Sequence, residues 1–386
     1  MPDAALDAAS LLRERANRFG PIGFDEFVDV ALYAPGAGFY ETGGTAGRGG
    51  DFLTSPEIGP LFGAVVAGAL DTWWAELGRP DPFVVIEAAA GRGVLCRSVL
   101  DAAPACLPAL RYLMVERSDA LRDAQAALVP VEPSFNVLGP VAPADEEDDE
   151  GARVLPGHGP RIASLAELPA GPLRGVVFAN ELLDNLPFAL AEWDGGQWLD
   201  VRVDGDGNEV LVAAPPSVVA DAERYAGTAA SVVGAGARIP LQAAAAAWLR
   251  DALAVLERGR VVVVDYAATT AELAGRPWLE WVRTYRRGGR GSPPLERPGE
   301  QDITCEVCVD QLAARVSAPS LDRTQADFLV AHGIADLVDA ARAQWQATAT
   351  GGGLDSLRAR SRITVADALL DPTGLGGFRV LESVLP

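Results

Sequence analysis

Four short apolar runs, each closed by a polar residue, constrain this chain more than any other feature. They are Phe83-Val84-Val85-Ile86 before Glu87, Tyr112-Leu113-Met114-Val115 before Glu116, Val176-Val177-Phe178 before Ala179-Asn180-Glu181, and Val261-Val262-Val263-Val264 before Asp265. Runs so short and so apolar suit strands buried on both faces. Helical patterns lie between them, at Val94–Leu100, Asp119–Leu128 and the alanine-rich 241–257. Strand–helix alternation predicts an α/β fold with a mostly parallel sheet covered on both sides. Such sheets bind ligands beyond the carboxyl ends of their strands, near the point where strand order reverses. Glu87, Glu116, Asn180, Glu181 and Asp265 are therefore the residues to inspect.

Other segments read differently. Residues 5–18 and 24–33 carry amphipathic helical patterns, and a helix is predicted at 61–77. The glycine-rich stretch 35–60 is too long for an ordinary connection and reads as a binding loop. Trp193-Asp194-Gly195-Gly196 and Asp204-Gly205-Asp206-Gly207-Asn208 are turn signals within a β-meander at 188–213. Late strands are predicted at 303–309 and 378–384. The acidic run Asp145 to Glu150 reads as a solvated loop. Residues 1–78 form an N-terminal helical and loop extension, 79–187 and 241–386 the two parts of the sheet domain, and 188–240 an insertion.

Composition excludes several chemistries. The formal charge of −21 argues against a nucleic-acid partner, whose phosphates demand a basic footprint. No lysine occurs, which removes the lysine-dependent phosphate loop and Schiff-base catalysis. Two histidines, His158 and His332, rule out a polyhistidine metal site. Cys305 and Cys308 are a lone pair of cysteines without a second ligand pair, so no metal is expected. No apolar run is long enough to span a bilayer, and the acidic start Met-Pro-Asp leads us to expect a cytoplasmic protein. Nothing demands an oligomer, although a homodimer is compatible.

Glu87-Ala88-Ala89-Ala90-Gly91-Arg92-Gly93 joins the first strand to the first helix. Glycines there let the backbone approach a ligand closely. Glu116 follows 23 residues after Gly93, where a carboxylate can accept hydrogen bonds from both ribose hydroxyls. Together these make a nucleoside site, a layout that dinucleotide enzymes share. An acid ending the first strand leans the choice toward S-adenosylmethionine (SAM), whose E-x-G-x-G-x-G pattern has Ala89 at its first glycine here. If that position needs positive φ, alanine costs about 1–2 kcal/mol relative to glycine.

Further segments carry a resemblance. Gly50-Asp51-Phe52-Leu53-Thr54-Ser55-Pro56-Glu57-Ile58 with Leu61-Phe62-Gly63 resembles the GDFxTSPE…FG signature of the MidA-like methyltransferases, relatives of the mitochondrial complex I assembly-factor arginine methyltransferase. Leu32-Tyr33-Ala34-Pro35 through Gly38-Phe39-Tyr40 is similar to that family's LYxPxxGYY. Ala179-Asn180-Glu181-Leu182-Leu183-Asp184-Asn185-Leu186-Pro187 is similar to its ANExxDxxP. Asp265-Tyr266-Ala267, Tyr285-Arg286-Arg287, Pro298-Gly299-Glu300-Gln301-Asp302-Ile303-Thr304 and Thr324-Gln325-Ala326-Asp327 extend the match. Ala89, Ala90, Ala267 and Gly288 depart from the family pattern.

The resemblance implies a Rossmann-like class I methyltransferase sheet with SAM as cofactor and a protein arginine as methyl acceptor. Cofactor contacts would then come from Thr54, Ser55, Glu87, Ala89, Gly91, Gly93, Glu116 and Asn180. Carboxylates can clamp a guanidinium bidentately, so Glu57, Glu181 and Asp184 become the candidate catalytic acids, with Asn180 between cofactor and acceptor. Segment 276–302 would lie on the acceptor side. Plainer readings stand beside these. These read Glu57 as a helix-entry residue, Asp184 as a helix cap and Asp302 as an ion-pair partner of Arg286 or Arg287. A non-catalytic scaffold relative and a dinucleotide oxidoreductase are the alternative functions.

Overall fold

All four apolar runs enter one eight-stranded sheet. Its order is Leu321–Thr324, Arg379–Leu385, Leu256–Asp265, Leu173–Asn180, Phe83–Ala88, Leu110–Val115, Arg161–Leu165 and Val131–Glu132. The inner pairs are parallel, from Leu256–Asp265 across to Val131–Glu132. At one edge Leu321–Thr324 pairs antiparallel with Arg379–Leu385. From Phe83–Ala88 the chain steps outward to Leu110–Val115 and beyond, then returns to Leu173–Asn180 on the opposite side. The reversal of strand order therefore lies between Phe83–Ala88 and Leu173–Asn180. Register places Ala88 opposite both Val115 and Ala179, and Asn180 opposite Val264.

This computed structural model describes residues 7–44, 54–139, 157–227, 234–348 and 353–386. Gly50–Leu53 and the acidic run 145–150 lie outside the described residues. Two compact units result. One comprises Thr54–Asn180, Ala252–Val264 and Pro319–Pro386; the other comprises Met1–Leu53, Glu181–Asp251 and Asp265–Ala318.

The first unit holds the large sheet. Helix Pro60–Glu76 belongs to it rather than to an N-terminal extension ending at residue 78, because it packs on helix Val94–Ala102. Gly63 makes that contact possible: a Cβ there would stand 2.3 Å from the Ser98 Cβ. Arg161–Leu165 and Val131–Glu132 are strands the apolar pattern did not predict, since only Ile162 and Ala163 among them are buried.

The second unit begins with helices Ala8–Phe19 and Phe24–Tyr33, as predicted from periodicity. The meander is present as strands Ala189–Trp193, Trp198–Val203 and Glu209–Ala213, all antiparallel. Its turns are built by aspartates: Asp194 accepts the N–H groups of Gly196 and Gln197, and Asp204 those of Asp206 and Asn208. Ile22–Gly23 and Ala237–Leu241 complete the five-stranded sheet. Phe24, Phe27, Phe188, Val201 and Trp281 fill the core of this unit.

The strand expected at 303–309 breaks at Glu306. Asp302–Cys305 pairs with Val282–Arg286, whereas Val307–Cys308 pairs with Ala267–Ala268. Glu306 is turned aside by two arginines, Arg276 and Arg283, each 2.8 Å from its carboxylate. Cys305 and Cys308 are both buried, and Gln242 bridges them through the Cys305 Sγ and the Cys308 N–H. Among the described residues no group of side chains could hold a metal ion, and no helix is long and apolar enough to cross a membrane.

Candidate functional site

In the sheet unit, the loop after Phe83–Ala88 is shaped by backbone conformation. Ala89, Gly91 and Gly93 all have positive φ, at 55°, 52° and 84°. Ala89 thus occupies the left-handed region despite its Cβ, and it is exposed. At Gly93 the requirement is also steric, because a Cβ would sit 2.9 Å from the Met114 sulfur.

Glu116 ties the loop to the next strand. One carboxylate oxygen accepts the Gly91 N–H at 2.9 Å and the other accepts the Ser118 N–H at 2.9 Å. The Gln125 amide donates to the Gly91 carbonyl at 2.8 Å from beneath. Burial raises the Glu116 pKa, and the amides of Ser118, Gly91 and Arg117 and the charge of Arg122 oppose that rise. A carboxylate has about four lone-pair directions, more than these backbone donors occupy, so the group can still accept from a diol.

Glu87 is buried, and its carboxyl accepts the Tyr112 hydroxyl at 2.8 Å. Desolvation pushes its pKa to about 8, against hydrogen bonds from Tyr112 and the Cys96 N–H and with the charge of Glu116 adding to the rise. Its partners lie within the protein, so it braces the loop and the start of the helix. Between its ordinary 4.5 and about 8 the folded chain holds a proton that the unfolded chain has lost, so the associated stability is full at acid pH and disappears as pH rises through 8. We expect Glu87→Gln to remove a slope of up to about 1.4 kcal/mol per pH unit. Urea unfolding of both proteins at several pH values checks this; parallel pH profiles would exclude the buried acid.

The Thr54-Ser55-Pro56-Glu57 segment forms a turn, with the Glu57 N–H on the Thr54 carbonyl at 3.0 Å. Ser55 is fully buried and donates to Gln325 at 3.0 Å. Thr54 is also buried. Burial raises the Glu57 pKa, offset by the positive charge of Arg92, which places this turn beside the glycine loop. Asn180 ends its strand at the same carboxyl edge.

Glu181 and Asp184 belong to the other unit. Glu181 has a positive φ of 51°, and Leu183–Asn185 forms a single 3-10 turn. Asp184 does not cap a longer helix. Asp265 organises the turn: its Oδ2 accepts the N–H groups of Leu183 at 2.9 Å and Asp184 at 3.2 Å, and its Oδ1 accepts that of Tyr266 at 2.9 Å. Asn185 donates to Asp302 at 2.9 Å and to the Ile303 carbonyl at 3.2 Å. The Tyr40 hydroxyl reaches the same Asp302 oxygen at 3.0 Å, and Tyr33 stacks on Tyr40. Arg286 pairs with Glu300.

Three buried acids therefore converge here with the half-buried Glu181. Desolvation drives the Asp184 pKa well up, followed by the charges of Asp265, Glu181 and Asp302. Asp265 rises to about 7, again through burial, held down by its backbone donors. The sequence gives no role to Tyr40 or Asn185 and reads Asp302 only as an ion-pair partner of Arg286 or Arg287; it gives none to Gln125. The first three stand inside recognised motifs, so the signal existed; Gln125 had none.

Residues 65–325 match the family described as "Putative S-adenosyl-L-methionine-dependent methyltransferase". Protein arginine methyltransferase NDUFAF7 homolog, mitochondrial, of Drosophila melanogaster is 32% identical over 201 residues, covering 51% of this chain and 44% of that protein. The Caenorhabditis elegans homolog is 28% identical over 214 residues, 53% and 49% respectively. The matched stretch spans less than half the length of these relatives. A crystal structure of a Burkholderia thailandensis protein bound to S-adenosyl-homocysteine superposes with a TM-score of 0.75 at 28% identity, covering 98% of this chain and 91% of that one. A native structure from the same organism gives 0.73 at 26% identity, with the same coverages. The eight-stranded sheet is accordingly of the Rossmann-like class I methyltransferase type.

Proposed function

We propose that this chain, which belongs to that S-adenosyl-L-methionine-dependent methyltransferase family, transfers a methyl group from SAM to an arginine side chain of a protein. The observation that carries the cofactor half is Glu116, whose carboxylate is aimed by the Gly91 and Ser118 amides at the carboxyl edge of the sheet. The donor set suits an adenosine: an ionisable diol acceptor, a loop whose Gly93 leaves no room for a side chain, and a neighbouring strand end at Asn180. Glu116 would take the ribose, and Ala89, Gly91 and Gly93 the backbone face of the methionine moiety. Thr54, Ser55 and Glu87 would brace that surface. The cofactor, when bound, supplies an electrophilic methyl on a positively charged sulfur.

The arginine half rests on the names of the relatives and on the acids of the second unit. Guanidinium is a weak nucleophile, its lone pair delocalised and its pKa above about 12. Glu181 and Asp184 would hydrogen-bond it, orient one nitrogen and favour the charge that builds there. Glu57, held near Arg92, and Asn180 are the sheet unit's own candidates for substrate contact. Transfer leaves the acceptor nitrogen with one proton too many; a carboxylate of the cluster accepts it.

A non-catalytic relative is the second reading, favoured by the strained Ala89. Yet the loop adopts the left-handed conformation in spite of alanine, at a cost of about 1–2 kcal/mol. Calorimetric titration decides between them. SAM and S-adenosyl-homocysteine should bind and NAD should not; binding of NAD, or of none of the three, would overturn the proposal. For the acceptor, Glu181→Gln should lower labelled-methyl incorporation into arginine of cell-extract protein by about 100-fold. Wild-type rates in that variant would remove the acid clamp.

A further inference from the structure

The hairpin formed by Val282–Arg286 and Gly289–Arg290 carries the run Arg286-Arg287-Gly288-Gly289-Arg290-Gly291, which the proposed chemistry leaves unassigned. Local structure accounts for two of its three glycines. Arg287 and Gly288 make the turn with positive φ, 50° and 77°, as a two-residue type I′ loop requires. At Gly291 a Cβ would stand 2.6 Å from the Gln301 Oε1 and 2.9 Å from the Thr284 Oγ1. Gly289 answers to neither demand: its φ is not left-handed, and a Cβ there would meet nothing within 4 Å. The arginines divide as well. Arg276 and Arg283 pair with Glu306, and Arg286 and Arg297 with Glu300. Arg290 is exposed and enters no ion pair among the described residues, in a chain whose acids outnumber its bases by 53 to 32. Its guanidinium lies over the Tyr285 ring, 5.4 Å from the ring centre.

We propose that Arg290 is itself a methyl acceptor, so that one copy of the protein methylates the hairpin of another. This inference rests on the arginine methyltransferase reading above. Gly289 and Gly291 flank Arg290, so neither sequence neighbour puts a side chain beside the guanidinium, and the backbone can be approached closely. No carboxylate has to be given up before Arg290 enters an acidic site. Arg286, by contrast, would abandon the Glu300 carboxylate at 2.8 Å and the Glu300 carbonyl at 3.1 Å. Access to Arg290 gives Gly289 the reason that the fold does not.

The product suits the hairpin as well as the reactant does. Methylation takes an N–H donor from a guanidinium and leaves its charge. Among the described residues Arg290 spends no side-chain donor on the fold, and a charge over an aromatic face keeps its attraction. Other groups hold the hairpin: the Gly291 N–H donates to the Thr284 carbonyl at 2.9 Å, and the Thr284 hydroxyl to the Ser292 carbonyl at 2.7 Å. These ties, and the pairing of Val282–Arg286 with Asp302–Cys305, fix Arg290 in its ladder, so its role as acceptor is toward a second copy. In the step, an Arg290 Nη forms a bond to the methyl carbon of SAM. The bond from sulfur to that carbon breaks with its electron pair going to sulfur, and one N–H proton passes to a carboxylate and then to solvent. The products are S-adenosyl-homocysteine and an N-methylated arginine.

The test uses wild-type enzyme, labelled-methyl SAM and tagged acceptor chains that carry Glu181→Gln to suppress their own activity. The Glu181→Gln acceptor should take up label, and peptide mapping should place it on Arg290. Adding Arg290→Lys to the acceptor should cut uptake at least tenfold, whereas adding Arg286→Lys should leave it within twofold. Undiminished uptake by the Arg290→Lys acceptor, or an equal loss in the Arg286→Lys acceptor, would overturn the proposal. A second readout needs no assay. Wild type isolated from its expression host should contain a fraction of the Arg290 peptide heavier by a methylene unit, absent from Glu181→Gln expressed alone. Unmodified Arg290 in wild type, or the same modification in both, would also overturn it. Label that enters arginine of cell-extract protein but not the acceptor chain would reject Arg290 alone; label that enters neither would reject the methyltransferase reading with it.

Discussion

Glu116→Ala is expected to weaken S-adenosyl-homocysteine binding by at least 100-fold while leaving the fold intact. The carboxylate has two functions in the proposed complex. It fixes the Gly91 amide, and through it the loop that meets the cofactor, and it offers the remaining lone pairs to the ribose. Hydrogen bonds to a charged group contribute about 1.5–3 kcal/mol each. Two lost ribose contacts alone amount to roughly 3 kcal/mol or more, and each 1.4 kcal/mol is tenfold in affinity. Little core packing is lost, since Glu116 lies beyond the end of the buried strand Leu110–Val115. Glu116→Gln keeps one acceptor oxygen but turns an NH2 group toward one of the two amides, so it should fall between. Calorimetric titration measures all three. An alanine variant that binds as wild type would mean that the nucleoside rests elsewhere.

Why this site could be read in the sequence, and the other only partly, is a matter of range. Glu87, Gly91, Gly93 and Glu116 follow directly from strand ends, because a buried parallel strand writes itself as a contiguous apolar run and its next residue must lie at the carboxyl edge. The left-handed backbone at Ala89 was legible as a condition, since the motif places a glycine there. The tertiary partners were not legible. Tyr40 meets Asp302 across 262 residues, and Asn185 meets it across 117; no local periodicity records such pairs. The break at Glu306 was hidden for the same reason, being set by Arg276 and Arg283 rather than by the β-propensity of the segment. Helix Pro60–Glu76 was grouped with the N-terminal extension because its apolar pattern does not say which core it enters; the close approach at Gly63 does.

The buried tie at Asp302 should be the most sensitive point of the second unit. Its Oδ1 receives both the Tyr40 hydroxyl and the Asn185 amide, and the residue is 0% exposed. Asp302→Ala strips both donors of a charged acceptor. Leaving a buried donor unsatisfied costs about 1–3 kcal/mol, and the Asn185 amide retains only the Ile303 carbonyl. Relief of repulsion opposes this loss, because Asp302 is one of the charges that raise the Asp184 pKa. That relief is the smaller effect, because burial is the largest cause of the Asp184 rise and the charges of Asp265 and Glu181 precede that of Asp302. Lost hydrogen bonds win, and we expect a net destabilisation of about 2–4 kcal/mol. Asp302→Asn keeps a carbonyl oxygen for both donors and should cost less than half as much. Tyr40→Phe removes one donor together with its need and should cost about 1 kcal/mol. In a double-mutant cycle, Asp302→Ala and Tyr40→Phe should couple by at least about 1 kcal/mol in urea unfolding. Strict additivity of the two would show that the loop bearing Tyr40 is not anchored through Asp302.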